Sequence, residues 1–361
     1  MPALYLVEQQ TKIRIRNRRV QVERDLSPDA IANPQSQIAN PKSQIENPEI
    51  ENRTSEILLS VPLSQVEQVV IFGNVGLTTP AIDAFLAQNT EVVFLSQRGE
   101  YRGRLVGQVT PHVPLRRAQY ARSGDAAFAL AMAKGFVRAK LQHQRALLQR
   151  HNRERGDAEI ASSVESLSHA LDEVERKTAL SSLLGVEGAA TAAYFKGLRR
   201  LFDPKWKFDD RNRRPPRDPV NVLLSFGYTL LAEACSSAVQ TVGLDPYAGF
   251  LHEVAYNRPG LGLDLMEEFR PIVDGIVLWC LNGGQLTPED FSPGPPERPI
   301  LLGAAGQRRF LQAYETRMDT RFTHPLRGMQ FPLRQCLIEQ ARQIAACIQS
   351  GEPNFGGMGF R

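Results

Sequence analysis

Two hydrophobic periods divide the chain. In "LYLVEQQTKIRIRNRRVQVERD", Ile13 and Ile15 alternate with Arg14 and Arg16, and Val20 and Val22 alternate with Arg19 and Gln21. A two-residue repeat of this kind places one apolar face of a strand against a core. Asn17 and Arg18 fall at the bend, so the stretch predicts a hairpin. "EILLSVPLSQVEQVVIFG" and "EVVFLSQRGEYRGRL" continue the strand signal, with Arg98 and Gly99 as a turn. Between them "TTPAIDAFLAQN" predicts one short helix, with Thr79 as N-cap and Pro80 at the first helical position.

From about Pro114 the repeat lengthens to that of helices. "DAAFALAMAKGFVRAKLQHQRALLQRHNRERG" predicts some thirty helical residues stopped by Gly156. "ESLSHALDEVERKTALSSLLGVEGAATAAYFKGLRRLF" predicts a further helical region. "DPVNVLLSFGYTLLAEACSSAVQTVG" is apolar nearly all round, as expected of a central helix. "PERPILLGAAGQRRFLQAYETRMD" and "PLRQCLIEQARQIAACIQSG" complete the set, and the tail "EPNFGGMGFR" reads as frayed. The expected fold class is α+β: a small N-terminal β-rich domain over residues 1–106, then a larger all-α-helical domain over 107–361. Residues 31–51 interrupt the first with IANPQSQ, IANPKSQ and IENPEIE, three heptapeptides that each carry a proline. Proline rules out a coiled coil, and the repeat reads as a flexible loop insertion.

Composition narrows the class. The chain has 361 residues, 42% hydrophobic and 23% charged, enough for about two domains at ~150 residues each. The apolar runs Val69–Phe72 and Val92–Leu95 fall far short of the ~20 residues of a membrane span. The N-terminus lacks the pattern of a signal peptide. Cys235, Cys280, Cys336 and Cys347 form no CxxC pair and read as buried thiols. The expected setting is cytoplasmic, without a membrane. Net charge is only +4, yet ten Lys/Arg face two acids between Arg116 and Arg155, and nine face four between Lys196 and Asp218. Such clustering is either a set of solvated helix faces or a polyanion-binding surface.

The candidate chemistry lies in "GFLHEVAYNRPGLGLDLMEEFRP". Within a helix over residues 262–270, Asp264, Glu267 and Glu268 share i,i+3 and i,i+4 spacing. They form either an exposed acidic face near a helix start or part of a metal site in which a cation relieves their repulsion, with Arg270 supplying some of that charge. His252, between apolar neighbours, is either a core histidine or a further ligand. Imidazole with carboxylates suits Mn²⁺ or Mg²⁺. In "LLGVEGAATAAYF", Glu187 stands alone among small residues. Either it is exposed or a close-packed helix buries it, which requires pairing or metal.

The blocks "GVEGAATAAYF", "DPVNVLLSFGYTLL", "LDPYAGFLHE", "LDLMEEFRP" and "YETRMDTRFTHPLRG", in this order and spacing, resemble the CRISPR-associated integrase family, the endonuclease-integrase of spacer acquisition. The resemblance covers nearly the whole chain outside the repeat insertion. It implies a β-domain followed by a helical catalytic domain, with Glu187, His252 and Glu267 as ligands to Mg²⁺ or Mn²⁺ and Asp264 as an additional acid. Asn221 matches a polar position near that site. The implied reaction is transesterification: the 3′-hydroxyl of a short DNA fragment, the spacer precursor, attacks a phosphodiester at the CRISPR repeat. A homodimer assembled on a small ferredoxin-like CRISPR-associated partner is implied as well. Arg211, Arg213, Arg214 and Arg217 then become candidate DNA contacts. A non-catalytic DNA-binding scaffold and a general metal-dependent repair nuclease are the alternatives.

Overall fold

The computed structural model describes residues 3–25, 55–97, 99–105, 107, 112–212, 215–325 and 327–359. The chain divides into two compact units, residues 1–108 and 109–361. The 31–51 repeat lies outside the described residues, as do Arg98, Arg213 and Arg214.

The first unit holds two four-stranded sheets. Strands β1 (Leu4–Leu6), β2 (Thr11–Arg16), β3 (Arg19–Asp25), β4 (Ser55–Pro62), β5 (Gln68–Phe72) and β6 (Val75–Leu77) precede helix α1 (Thr79–Ala87). Strands β7 (Glu91–Leu95) and β8 (Tyr101–Leu105) follow it. One sheet runs β4-β3-β2-β6 and the other β1-β5-β7-β8. β2 and β3 form the expected hairpin, pairing Ile13 with Val22 and Ile15 with Val20. Its turn residues Asn17 and Arg18 have φ of +51° and +57°, the left-handed pair that matches the twist of the strands. The alternation does its work here: Ile13, Val20, Val22, Val69, Ile71 and Val92 close one core, which Phe85 of α1 joins. Helix α1 starts one residue earlier than expected. Thr78, not Thr79, is the cap position, and its hydroxyl donates to the Ile13 carbonyl of β2 at 3.1 Å, leaving no side-chain cap.

The second unit is helical: α2 (Val113–Ser123), α3 (Ala126–Arg155), α4 (Ala158–Arg176), α5 (Leu180–Arg199), α6 (Pro219–Val242), α7 (Gly260–Asn282), α8 (Ala304–Asp319) and α9 (Leu333–Ser350). Two short antiparallel ladders, β9 (Phe291–Pro293) with β10 (Ile300–Leu302) and β11 (Arg321–Thr323) with β12 (Gln330–Pro332), qualify the expectation of an all-helical domain. The Asp125 carboxylate caps α3 by accepting from the amides of Ala127 and Phe128, and Gly156 ends it at φ +62°. α4 and α5 are separate helices. α6 is the central helix the pattern foretold, with Leu223, Leu224, Leu231 and Val239 fully enclosed. Among the described residues it alone is long and apolar enough to cross a membrane, and here it packs mostly inside the unit. All four cysteines are buried and free.

Two expectations fail in this unit. α7 does not stop at residue 270 but runs through Pro271 to Asn282. Proline removes one backbone donor, while Ile272, Val273, Ile276 and Val277 continue the buried stripe beyond it. Each such side chain contributes about 1.5–3 kcal/mol when enclosed, enough to carry the helix past the break. The tail is not frayed up to residue 359. Phe355 and Met358 are buried, and the Phe355 ring lies 4.6 Å from that of Phe136 on α3. A side chain at Gly135 would meet the Phe355 carbonyl at 2.9 Å, so glycine is what lets the tail seat.

Candidate active site

Three elements meet at one end of the α3–α7 pair. Glu187 comes from α5, Asp264, Glu267 and Arg270 from the first half of α7, and His252 from the loop between α6 and α7. Asp264 organises that loop. It is fully buried, and its Oδ2 accepts from the amides of Phe250 and Leu251 at 2.6 and 3.0 Å. Its Oδ1 accepts from the amide of His252 at 2.9 Å and meets the His252 Nδ1 at 2.7 Å. With two backbone amides on its Oδ2 and one on its Oδ1, the Asp264 carboxylate is the acceptor, so Nδ1 donates and Nε2 is the ring nitrogen left to face the other acids. Nε2 faces Glu267 Oε1 at 3.9 Å. The loop can fold this tightly because residue 249 is glycine: a Cβ there would lie 2.9 Å from the Asp264 carboxylate. Glu253, next to His252, points to solvent.

The centre of the site is a lysine that the sequence pattern did not single out. Lys140 of α3 is 6% exposed, and its ammonium pairs with Glu187 Oε1 and lies 2.6 Å from Glu267 Oε2. Thr191, one turn along α5, donates to Glu187 Oε1 at 2.9 Å. Arg270 Nε donates to Glu267 Oε1 at 2.8 Å. Burial alone would raise the Glu267 carboxyl. The Arg270 guanidinium, the Lys140 ammonium and the His252 ring outweigh it and hold the group well below the usual carboxylate range. Lys140 had a signal of its own. It falls at i+4 from Phe136 and i+3 from Val137, on the apolar stripe of α3, where an uncompensated charge is costly.

The acids do not act as one face, and none is an exposed helix-start carboxylate. Asp264 serves the loop, Glu267 serves the cations, and Glu268 points elsewhere. Its Oε1 accepts from Gln340 Nε2 at 2.8 Å and its Oε2 from the Met358 amide at 2.9 Å. Burial pushes the Glu268 carboxyl up to about 7, against the pull of those two donors. Glu187 is partly exposed and paired. Its side chain is 21% exposed, and a Cβ at Gly185 or Gly188 would meet nothing within 4 Å. The small residues around Glu187 leave an open face instead of admitting a close-packed helix.

The donor chemistry fits a hard divalent ion. Two carboxylates and an imidazole nitrogen whose partner nitrogen is fixed by a carboxylate are a recurring set for such ions. Glu267 Oε2 is buried without an aligned hydrogen bond and faces only the Lys140 charge at close range. Among the described residues no three acidic, histidine or cysteine side chains stand in ready coordination. The ammonium of Lys140 stands between the two carboxylates.

The predicted DNA contacts divide. Arg211 turns inward: its guanidinium donates to Asn221 Oδ1 at 2.8 Å and Ser225 Oγ at 3.0 Å. Asn221 is fully buried, and its amide nitrogen donates to the Asp210 carbonyl and the Asp218 carboxylate. It braces the loop before α6 and offers DNA no surface. Arg217 is exposed. Several cations from the basic stretches are spent internally, with Arg138 on Glu175, Arg199 on Glu159 and Asp209, and Arg200 on Asp157.

Comparison with known proteins bears on what this geometry serves. The family model described as CRISPR associated protein Cas1 matches residues 4–316. The chain belongs to the Cas1 family. A CRISPR-associated endonuclease Cas1 from Thermus thermophilus is 41% identical over 304 residues, 83% of this chain and 88% of that protein. Among solved structures, a casposase bound to integration product superposes with a TM-score of 0.79 at 21% identity, over 99% of this chain and 93% of the other. A Cas6-RT-Cas1–Cas2 complex gives 0.77 at 24% identity, covering 99% of this chain and 36% of that one. These structural likenesses establish a Cas1 fold, a β-rich N-terminal region followed by a larger helical part.

Proposed function

We propose that this chain is a metal-dependent DNA endonuclease and integrase that inserts short DNA fragments into a CRISPR array by attack of a fragment's 3′-hydroxyl on a phosphodiester. The observation that carries the reading is the Lys140 ammonium held between Glu187 and Glu267, with His252 Nε2 3.9 Å from the other oxygen of Glu267. Glu187, His252 and Glu267 would hold Mg²⁺ or Mn²⁺, which when bound supplies Lewis acidity at the phosphate and stabilises developing charge. The chain's own groups prepare the place. Asp264 keeps the proton on His252 Nδ1, so that Nε2 is the coordinating atom. Arg270 holds Glu267 ionised and at a fixed angle. Lys140 balances both carboxylates, which would otherwise repel across a low-dielectric site.

DNA would be gripped through phosphates, with Arg217 and its sequence neighbours Arg213 and Arg214 contributing charge and little base readout. The casposase described with its integration product and the Cas1–Cas2 assembly support DNA and a Cas partner, for which the reading takes the small ferredoxin-like CRISPR-associated protein. A homodimer and a cytoplasmic setting complete the reading. The test is strand transfer of a labelled duplex into a repeat-containing plasmid, with partner, in Mn²⁺ or in EDTA. Joined product should form only with metal. Cleavage without joining would make the chain a general nuclease, and binding without either would make it a scaffold.

A further inference from the structure

At the other end of the α3–α7 pair, a cavity of about 520 Å³ opens between α3, α7 and α8, within the size range of ligand pockets. Its floor is apolar, formed by Leu147, Ile272 and Ile276, and Trp279 stands at its wall with 55% of its surface exposed. Arg150, Arg309, Arg317 and His151 line it, and among the described residues no carboxylate does. Arg309 is held by Asp290 outside the lining. Arg150 and Arg317 come from different helices and have no ion-pair partner among the described residues. Burial, and next the neighbouring Arg150 charge, push the Arg317 guanidinium below its usual range, as expected where like charges converge without an anion. An exposed indole over an apolar floor and beside spaced guanidiniums matches an unstacked base with its flanking phosphates.

We propose that this cavity binds an unpaired nucleotide of a DNA strand, its base against Trp279 and its phosphates on Arg150 and Arg317. A free inorganic anion would leave the floor and the indole unused. Trp279 lies twelve residues beyond Glu267 on α7, about 18 Å by helical rise. A strand gripped here is therefore a short run of nucleotides from the candidate active site. The proposal rests on the reading above only in taking DNA as the polymer.

Tryptophan fluorescence tests it, because the chain has two tryptophans and the other, Trp206, is 1% exposed. Full-length protein is titrated with a short oligodeoxythymidine, with an abasic oligomer of equal length and with free thymidine monophosphate. Anisotropy of a labelled strand follows total DNA binding in parallel. The oligodeoxythymidine should quench Trp279 strongly and the other two weakly. Trp279→Phe should abolish the signal while keeping most affinity, and Trp279→Ala should weaken affinity about 5- to 100-fold, the range of one stacked base. The double variant R150Q/R317Q should weaken it tenfold or more. DNA bound without quenching overturns the cavity proposal and leaves the integrase reading standing. Absence of DNA binding overturns both. Equal quenching by the abasic oligomer removes the base from the proposal, and equal quenching by the monophosphate makes this a free-nucleotide site instead.

Discussion

Two carboxylates of α7, Glu267 and Asp274, are buried to similar depth and treated oppositely. Glu267, 3% exposed, has an ammonium and a guanidinium beside it, and its carboxyl is held far below the usual range. Two turns on, Asp274 is fully enclosed and accepts from the hydroxyls of Tyr194 and Tyr228 at 2.6 and 2.5 Å. Burial raises its carboxyl to about 6, and those neutral donors, with smaller contributions from the Arg270 and Arg211 charges, only partly oppose the rise. Depth alone decides neither case. The charge of the partner does, because a cation stabilises the ionised form more strongly the lower the dielectric, while a phenol offers only a dipole. Glu267 is thus kept charged, as the proposed metal site requires. Asp274 ties α5 and α6 to α7 beneath it.

The sharpest way to break this contrast is to remove the cation. Lys140→Met leaves Glu187 and Glu267 facing each other, and breaking a buried ion pair from one side costs about 3–5 kcal/mol. Chemical denaturation in EDTA should show that loss. Added Mn²⁺ should then stabilise the variant more than the wild type, where the ion has an ammonium to displace. A variant as stable as wild type in EDTA would mean that Arg270 alone balances the site.

His252→Ala tests the chemistry. On the proposed reading DNA is gripped by Lys and Arg elsewhere, so binding should persist, whereas strand transfer should fall by about 100- to 1000-fold, the cost of one lost electrostatic contributor at the transition state. Near wild-type integration would remove His252 from the site. Loss of binding and transfer together, with a lowered melting temperature, would make it a core residue.

What the sequence disclosed follows from how local each signal is. The β2–β3 hairpin is legible because alternation and a two-residue turn are neighbours in the chain, and α3 because Asp125 and Gly156 mark its ends. The grouping of Glu187, His252 and Glu267 came through the resemblance of five blocks, since nothing in spacing alone joins α5 to the 252 loop. Lys140 was hidden among ten basic residues counted as one surface, although it alone falls on the apolar stripe between Val137 and Gln144. The tail misled because its two anchoring side chains, Phe355 and Met358, are diluted by three glycines. The helix over 262–270 was read too short, because one missing amide at Pro271 weighs less than the apolar stripe that continues past it.

Asp274 supplies the smallest effect and the cleanest sign. Its carboxyl rises from an ordinary 3.8 to about 6 on folding, so between those values the folded chain binds a proton that the unfolded chain has released. Stability from this group is therefore fully present at low pH, falls as pH rises from about 4 to 6, and is level above. Each tenfold difference in proton affinity between the folded and unfolded chain is about 1.4 kcal/mol, which makes the fall roughly 2–3 kcal/mol. Other groups titrate across the same window, so the measurement is the difference between wild type and Asp274→Asn, which cannot ionise. Unfolding free energies taken from pH 4 to 7.5 should show wild type losing ground to the variant by that amount as pH rises, with most of the change below 6.5. A difference that stays flat would mean Asp274 ionises as easily inside as out, with the tyrosine hydroxyls serving it as well as cations serve Glu267. A difference of opposite slope would mean that the Arg270 and Arg211 charges outweigh burial at Asp274, erasing the distinction between it and Glu267.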